Sequence, residues 1–88
     1  MPELSDRRKE LLKIIIDEYI ESAEPVGSET IVEKYNLGVS PATVRNEMVA
    51  LTKEGFLKQP HTSAGRIPTP MGLKFYISGL MKETSMPV

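Results

Sequence analysis

The stretch SPATVRNEMVALTKEG, Ser40 to Gly55, reads as one helix with both ends marked. Ser40 is a good N-cap, because its hydroxyl can accept from a free amide of the first turn. Pro41 takes the first helical position, where a missing N–H costs nothing. Gly55 closes the helix in the left-handed conformation. Between them Val44, Met48 and Leu51 recur at core-facing intervals. The other face begins with Ala42, Thr43, Arg45 and Asn46, which are short or hydrogen-bonding. Side chains of this kind, presented from the first turns of a helix, suit entry into a DNA major groove. The expectation is a recognition helix over 41–54.

Working back, Ser5 can cap a helix running to about Ser22. Its apolar face is Leu11, Leu12, Ile15, Ile16, Tyr19 and Ile20, with Ile14 at the edge. Arg7, Arg8, Glu10, Asp17 and Glu21 lie off that face. A plain core helix accounts for this pattern; phosphate contact by Arg7 or Arg8 is the alternative. Glu24-Pro25-Val26-Gly27 makes a turn. Ser28 can then cap a short helix to about Asn36, with Ile31, Val32 and Tyr35 buried. Asn36-Leu37-Gly38-Val39 connects tightly to the main helix. Two short helices across a Gly-containing turn fit a helix-turn-helix, although another small helical bundle has the same periodicity.

Working forward, Phe56 to Gln59 reads as a short strand, PHTSAG (Pro60–Gly65) as a polar loop, and Arg66-Ile67 as a returning strand stopped by Pro68. Together they make a β-hairpin wing over 56–68. His61, Thr62, Ser63 and Arg66 can donate to phosphates or reach a minor groove. A solvated loop histidine is the other reading of His61. Thr69-Pro70 repeats the cap-then-proline signature and opens a last helix. Met71, Phe75 and Leu80 share one side of it, beside Tyr76, Ile77 and Met81. Gly72 and Gly79 weaken this helix or permit close packing. Its apolar residues exceed one narrow face, so it is either deeply packed or meets a partner. The expected architecture is a mostly α winged helix-turn-helix with a small β-hairpin over residues 1–82, and a frayed tail at 83–88.

Composition bounds the function. The chain has 88 residues, no cysteine and one histidine. Disulfides and thiolate metal sites are excluded, and neither a metal nor a cofactor is expected. No apolar run approaches the roughly 20 residues of a membrane span. The N-terminus lacks the apolar segment of a signal peptide, which points to the cytoplasm and, for a DNA binder, the nucleoid. The net charge is −1 and the pI about 5.8, bland for a nucleic-acid binder. The distribution says more: residues 1–40 hold five Lys/Arg against nine Asp/Glu, and residues 41–74 five against two. No phosphate-binding glycine motif or catalytic constellation is present, so an enzyme is not expected. A winged helix used for protein interaction is the reading from another class.

Three strings carry a family resemblance: EPVGS (Glu24–Ser28), VSPATVRNEM (Val39–Met48) and QPHTSAGRIPT (Gln59–Thr69). They resemble the DNA-binding domain of the HrcA heat-inducible transcription repressors, and the likeness covers roughly residues 4–81. It implies a winged helix-turn-helix that binds double-stranded DNA, as a dimer on an inverted-repeat operator upstream of chaperone operons in the stress response. By position, the implied DNA contacts are Ser40, Ala42, Thr43, Arg45 and Asn46 in the helix, and His61, Thr62, Ser63 and Arg66 in the wing. No small-molecule ligand is implied for this domain. The chain departs from the family pattern at Leu51-Thr52, where an acid usually follows the leucine, and at Gly72-Leu73-Lys74. The repressors resembled also have a large C-terminal part that dimerises and senses the folding state of the cell. Similar domains occur joined to other sensors, so a different prokaryotic regulator is the alternative.

Overall fold

A computed structural model describes residues 4–84, with side chains as far as residue 79. In chain order it contains α1 (Asp6–Ser22), α2 (Ser28–Lys34), α3 (Pro41–Lys53), β1 (Leu57–Lys58), β2 (Ile67–Pro68) and α4 (Pro70–Thr84). This is the expected mostly α winged helix. The last helix reaches Thr84, two residues into the expected tail; residues 85–88 of that tail lie outside the described residues.

Helix α1 starts where Ser5 accepts from the Arg8 amide at 3.2 Å. Its buried face is Leu11, Leu12, Ile15 and Ile16, the spacing expected of a core helix. Ile20 departs from the expected face and is 58% exposed. Residues 20–25 are all exposed, so the last turn of α1 runs beyond the elements that cover its middle. Glu18 is buried on the same helix, its carboxylate 3.0 Å from the Lys34 ammonium of α2. Beside Glu18, the Lys34 ammonium is held charged to higher pH than a free lysine, chiefly by that hydrogen bond.

Helix α2 is shorter than its pattern suggests. Gly27 takes the extended N-cap position, and Ser28 is already inside the helix and buried. Tyr35 has left helical geometry, so α2 ends at Lys34, before Asn36. Ile31 is fully buried, while Val32 and Tyr35 pack against the core from its edge. Gly38, at φ +69°, turns the chain into α3.

Helix α3 follows its signals closely. Ser40 accepts from the Thr43 amide at 3.2 Å, and Val44, Met48 and Leu51 are buried. At the far end the Phe56 amide donates to Leu51 and the Gly55 amide to Thr52, both across Gly55 at φ +91°. That pair of bonds is a Schellman closure, with buried Phe56 and Leu51 as its apolar contact.

The wing is a two-stranded antiparallel sheet with Leu57 opposite Pro68 and Lys58 opposite Ile67. Pro68 therefore pairs once before it ends the strand. A proline is accommodated there because no further ladder bond is needed. Just before β2, Arg66 forms an antiparallel bridge with Val26, each amide donating to the other carbonyl at 2.9 Å. This bridge ties the turn before α2 to the wing. A Cβ on Gly65 would lie 2.9 Å from the Pro25 carbonyl carbon and 3.0 Å from the Val26 nitrogen, so only glycine fits that crossing.

Thr69 then does three things at the start of α4. Its hydroxyl accepts from the Gly72 amide at 3.1 Å and donates to the Gly55 carbonyl at 2.5 Å, while its amide donates to Phe56. Phe56 and Phe75 meet edge-on with centroids 5.7 Å apart. The Tyr76 hydroxyl donates to the Asp17 carboxylate, joining α4 to α1. Met71, Leu73 and Ile77 remain exposed on α4, so this helix is not packed all round. The Leu80 and Met81 side chains lie outside those described.

Candidate nucleic-acid interface

The packing of α3 decides which of its side chains point outward. Burial of Val44, Met48 and Leu51 leaves Ala42, Arg45, Asn46, Val49 and Lys53 exposed. Ala42, Arg45 and Asn46 were expected on this face. Val49 follows Arg45 by four residues and Asn46 by three, so helical spacing alone places it beside them. An exposed valine there can meet a thymine methyl. Ser40 and Thr43 are engaged with one another, their hydroxyls 3.1 Å apart while Ser40 also caps the helix. They fix the start of α3 while remaining within reach of its outer surface.

The wing stands beside this face. A cleft of about 500 Å³ runs between α3, the start of α2 and the wing, and Arg45, Val49, Gln59 and Arg66 line it. Gly27, Ser28, Glu29 and Thr30 form its α2 rim, with Glu29 its one acidic lining residue. Gln59 and the α2 rim were not foreseen. The Val26–Arg66 bridge closes the wing against the start of α2, and a pairing of residues 40 apart in sequence leaves no local signal.

Within the wing, His61 and Thr62 are exposed at the turn. Ser63 is half-buried, its hydroxyl accepting from the Gly65 amide at 2.9 Å. Arg66 is more tied than a loop cation. Its Nε donates to the Thr52 hydroxyl at 3.0 Å and a terminal nitrogen to the Ala64 carbonyl at 2.7 Å. Thr52, at the point of departure from the family pattern, in turn donates to the Met48 carbonyl at 2.7 Å. Arg66 thus straps the wing to the last turn of α3 and keeps its charge in the cleft.

The acids are placed elsewhere. Glu47 and Glu54 are the two carboxylates of residues 41–74, and both turn toward α1. Arg8 reaches Glu47 at 3.0 Å and Glu54 at 3.5 Å. The hydrogen bond to Glu47 holds the guanidinium even more firmly charged. Arg8 is therefore engaged within the fold, whereas Arg7 is exposed at the rim of a smaller groove of about 270 Å³ shared with Glu10, Thr43 and Glu47.

Residues 3–75 match the model of the family described as winged helix-turn-helix transcription repressor, HrcA DNA-binding. The chain belongs to that family. It is 58% identical over 80 residues to the heat-inducible transcription repressor HrcA of Symbiobacterium thermophilum, covering 91% of this chain and 24% of that protein. The HrcA of Chloroflexus aggregans is 55% identical over 83 residues, covering 94% of this chain and 22% of that protein. A crystal structure described as that of a hypothetical protein superposes with a TM-score of 0.90 at 44% identity, over 98% of this chain and 27% of that one. The chain thus spans about a quarter of the length of the HrcA proteins it matches. Within the HrcA family match fall the whole of α3, the wing and Arg8.

Proposed function

We propose that this chain is the double-stranded DNA reader of a transcription repressor, with residues 41–54 in the major groove and the wing, 56–68, on the backbone or in the minor groove. The observation that carries this is the outer face of α3: Ala42, Arg45, Asn46, Val49 and Lys53 stand exposed with no carboxylate among them. Arg45 and Asn46 are the base-reading candidates, for guanine and for adenine or a phosphate. Ser40, Ala42 and Thr43 supply close backbone approach. His61, Thr62, Ser63 and Arg66 hold register from the wing. HrcA family membership supports repression of heat-shock operons, and an inverted-repeat operator read by a dimer is the matching geometry. Such a regulator works in the cytoplasm at the nucleoid. Among the described residues no helix is long and apolar enough to cross a membrane. An enzymatic role has no support from a family of repressors.

Fluorescence anisotropy with two labelled duplexes tests this reading, one carrying an inverted repeat of the kind expected for HrcA repressors and one scrambled. Tighter binding to the repeat, with a salt slope of a few ions, is the expected result. Equal, salt-sensitive binding to both would discard that operator. No binding at low salt would remove the DNA reading.

The second reading is a winged helix used for protein contact, favoured by exposed Met71, Leu73 and Ile77 on α4. It predicts little salt-dependent affinity for either duplex. Within the DNA reading, Arg66→Ala is expected to weaken binding on every sequence and to lower the salt slope by about one. Arg66→Lys keeps the charge but loses the fork that holds Thr52 and Ala64, so it should restore the slope and only part of the affinity. Titrations at several salt concentrations check both. A loss confined to one operator sequence would contradict this role.

A further inference from the structure

We propose that Arg8 is a positioning residue for DNA binding, which masks the two carboxylates on the flank of the reading helix. The inference rests on the DNA-binding reading and goes beyond it, because Arg8 lies outside the reading helix and the wing. Glu47 and Glu54 are seven residues apart, two turns, so they share one side of α3. Glu47 follows Asn46 in sequence and shares a groove with Thr43, so that side borders the Thr43–Asn46 edge of the exposed face and lies away from Arg45. An α-helix with its side chains is about 10–12 Å across, while the Debye length grows from about 8 Å at physiological salt to about 30 Å at 0.01 M. At low salt, carboxylates on the flank are therefore close enough to repel phosphates lying along that edge. Arg8 stands between them, one terminal nitrogen 3.0 Å from Glu47 and the other 3.5 Å from Glu54. The three side chains are only 17–28% exposed, so the pairing is less screened than one at the surface. The Arg8 Nε and the second Glu54 oxygen are buried without a hydrogen-bond partner. The guanidinium is thus fixed by its two acids rather than by solvent.

A cation that touched phosphate and a cation that masks acids behave differently on substitution. The probe is a labelled duplex that the wild-type chain enriches from randomised DNA, read by anisotropy across a salt series. Arg8→Gln is expected to weaken binding roughly fivefold at low salt, with the deficit shrinking as salt rises. The triple variant Arg8→Gln, Glu47→Gln, Glu54→Gln is expected to regain wild-type affinity or better. Arg8→Gln with Glu21→Gln and Glu24→Gln removes the same charge, but Glu21 lies roughly 20 Å along α1 from Arg8. It should recover less than half of the loss. Thermal melts by circular dichroism set an assay temperature at which all variants are folded. All three Arg8 variants lose the link from α1 to α3. Failure of the triple variant to recover would therefore make Arg8 a structural tie or a phosphate contact and overturn the mask. Recovery by the distant pair to the same extent would reduce it to net charge. A wild-type chain that enriches no sequence and shows no salt-dependent affinity would instead remove the DNA reading itself, and the mask with it.

Discussion

Replacing Gly72 by alanine is expected to destabilise the fold, against the sign that helix propensity gives. Gly72 lies in the first turns of α4, where alanine is ordinarily better by about 1 kcal/mol. Space decides otherwise. A Cβ at this position would lie 2.2 Å from the Phe56 carbonyl oxygen. That oxygen is main chain, and it already accepts from the Thr69 amide at 3.1 Å. It has no rotamer by which to move aside, so the start of α4 must lift from the base of the wing. The lift strains the Thr69 cap and the edge contact of Phe56 with Phe75. A net loss of about 1–3 kcal/mol is expected. In a domain of this size each kcal/mol lowers Tm by roughly 4–8 °C. Gly79→Ala is the control, since nothing lies within 4 Å of its would-be Cβ. It should raise Tm through propensity alone. Thermal melts of both variants check the pair; a Gly72→Ala protein melting at or above wild type would show that α4 shifts without cost.

The elements that sequence makes plain are those whose signals act within a few residues. Ser40-Pro41 and Gly55 bracket α3 because a cap bonds three residues on and a Schellman closure spans six. Thr69-Pro70 opens α4 for the same reason. The burial of Val44, Met48 and Leu51 follows from period alone, and the exposure of Ala42, Arg45 and Asn46 follows as its complement. Interactions between distant segments are not written this way. The Arg8–Glu47 pair spans 39 residues and the Arg66–Thr52 bond 14. Each exists only once the helices have packed. Arg66 accordingly reads as a cation for phosphate, and Arg8 as one only in the alternative reading of its helix, while in the fold both have partners in the protein. Ile20 belongs to the apolar stripe by spacing, but its exposure depends on where the cover of α1 ends. The early start of α2 at Ser28 turns on Gly27 alone, a cap without a side chain to mark it.

Arg45→Ala is expected to weaken specific binding by about 1–3 kcal/mol and to relax preference at one base pair. The argument begins with freedom. Arg45 is exposed one turn into α3, and among the described residues no hydrogen bond or ion pair engages its guanidinium. Its five donors are therefore available to a ligand, in contrast to those of Arg8 and Arg66. It lines the cleft facing the wing, beside Val49 and Gln59, where a groove edge would lie if α3 entered it. The fork of a guanidinium matches the O6 and N7 acceptors of guanine, a match that an ammonium cannot make. Arg45→Lys should hence keep the salt slope and still lose the preference at that base pair. Because the side chain makes no contact that holds the fold, neither variant should move stability by more than about 0.5 kcal/mol. Melts can thus separate a reading defect from an unfolded one. The decisive measurement is a set of duplexes varied one base pair at a time, titrated with wild type and both variants. If every duplex weakens equally and the pattern of preference is unchanged, Arg45 grips the backbone, and base reading passes to Asn46 and Val49 on the same face.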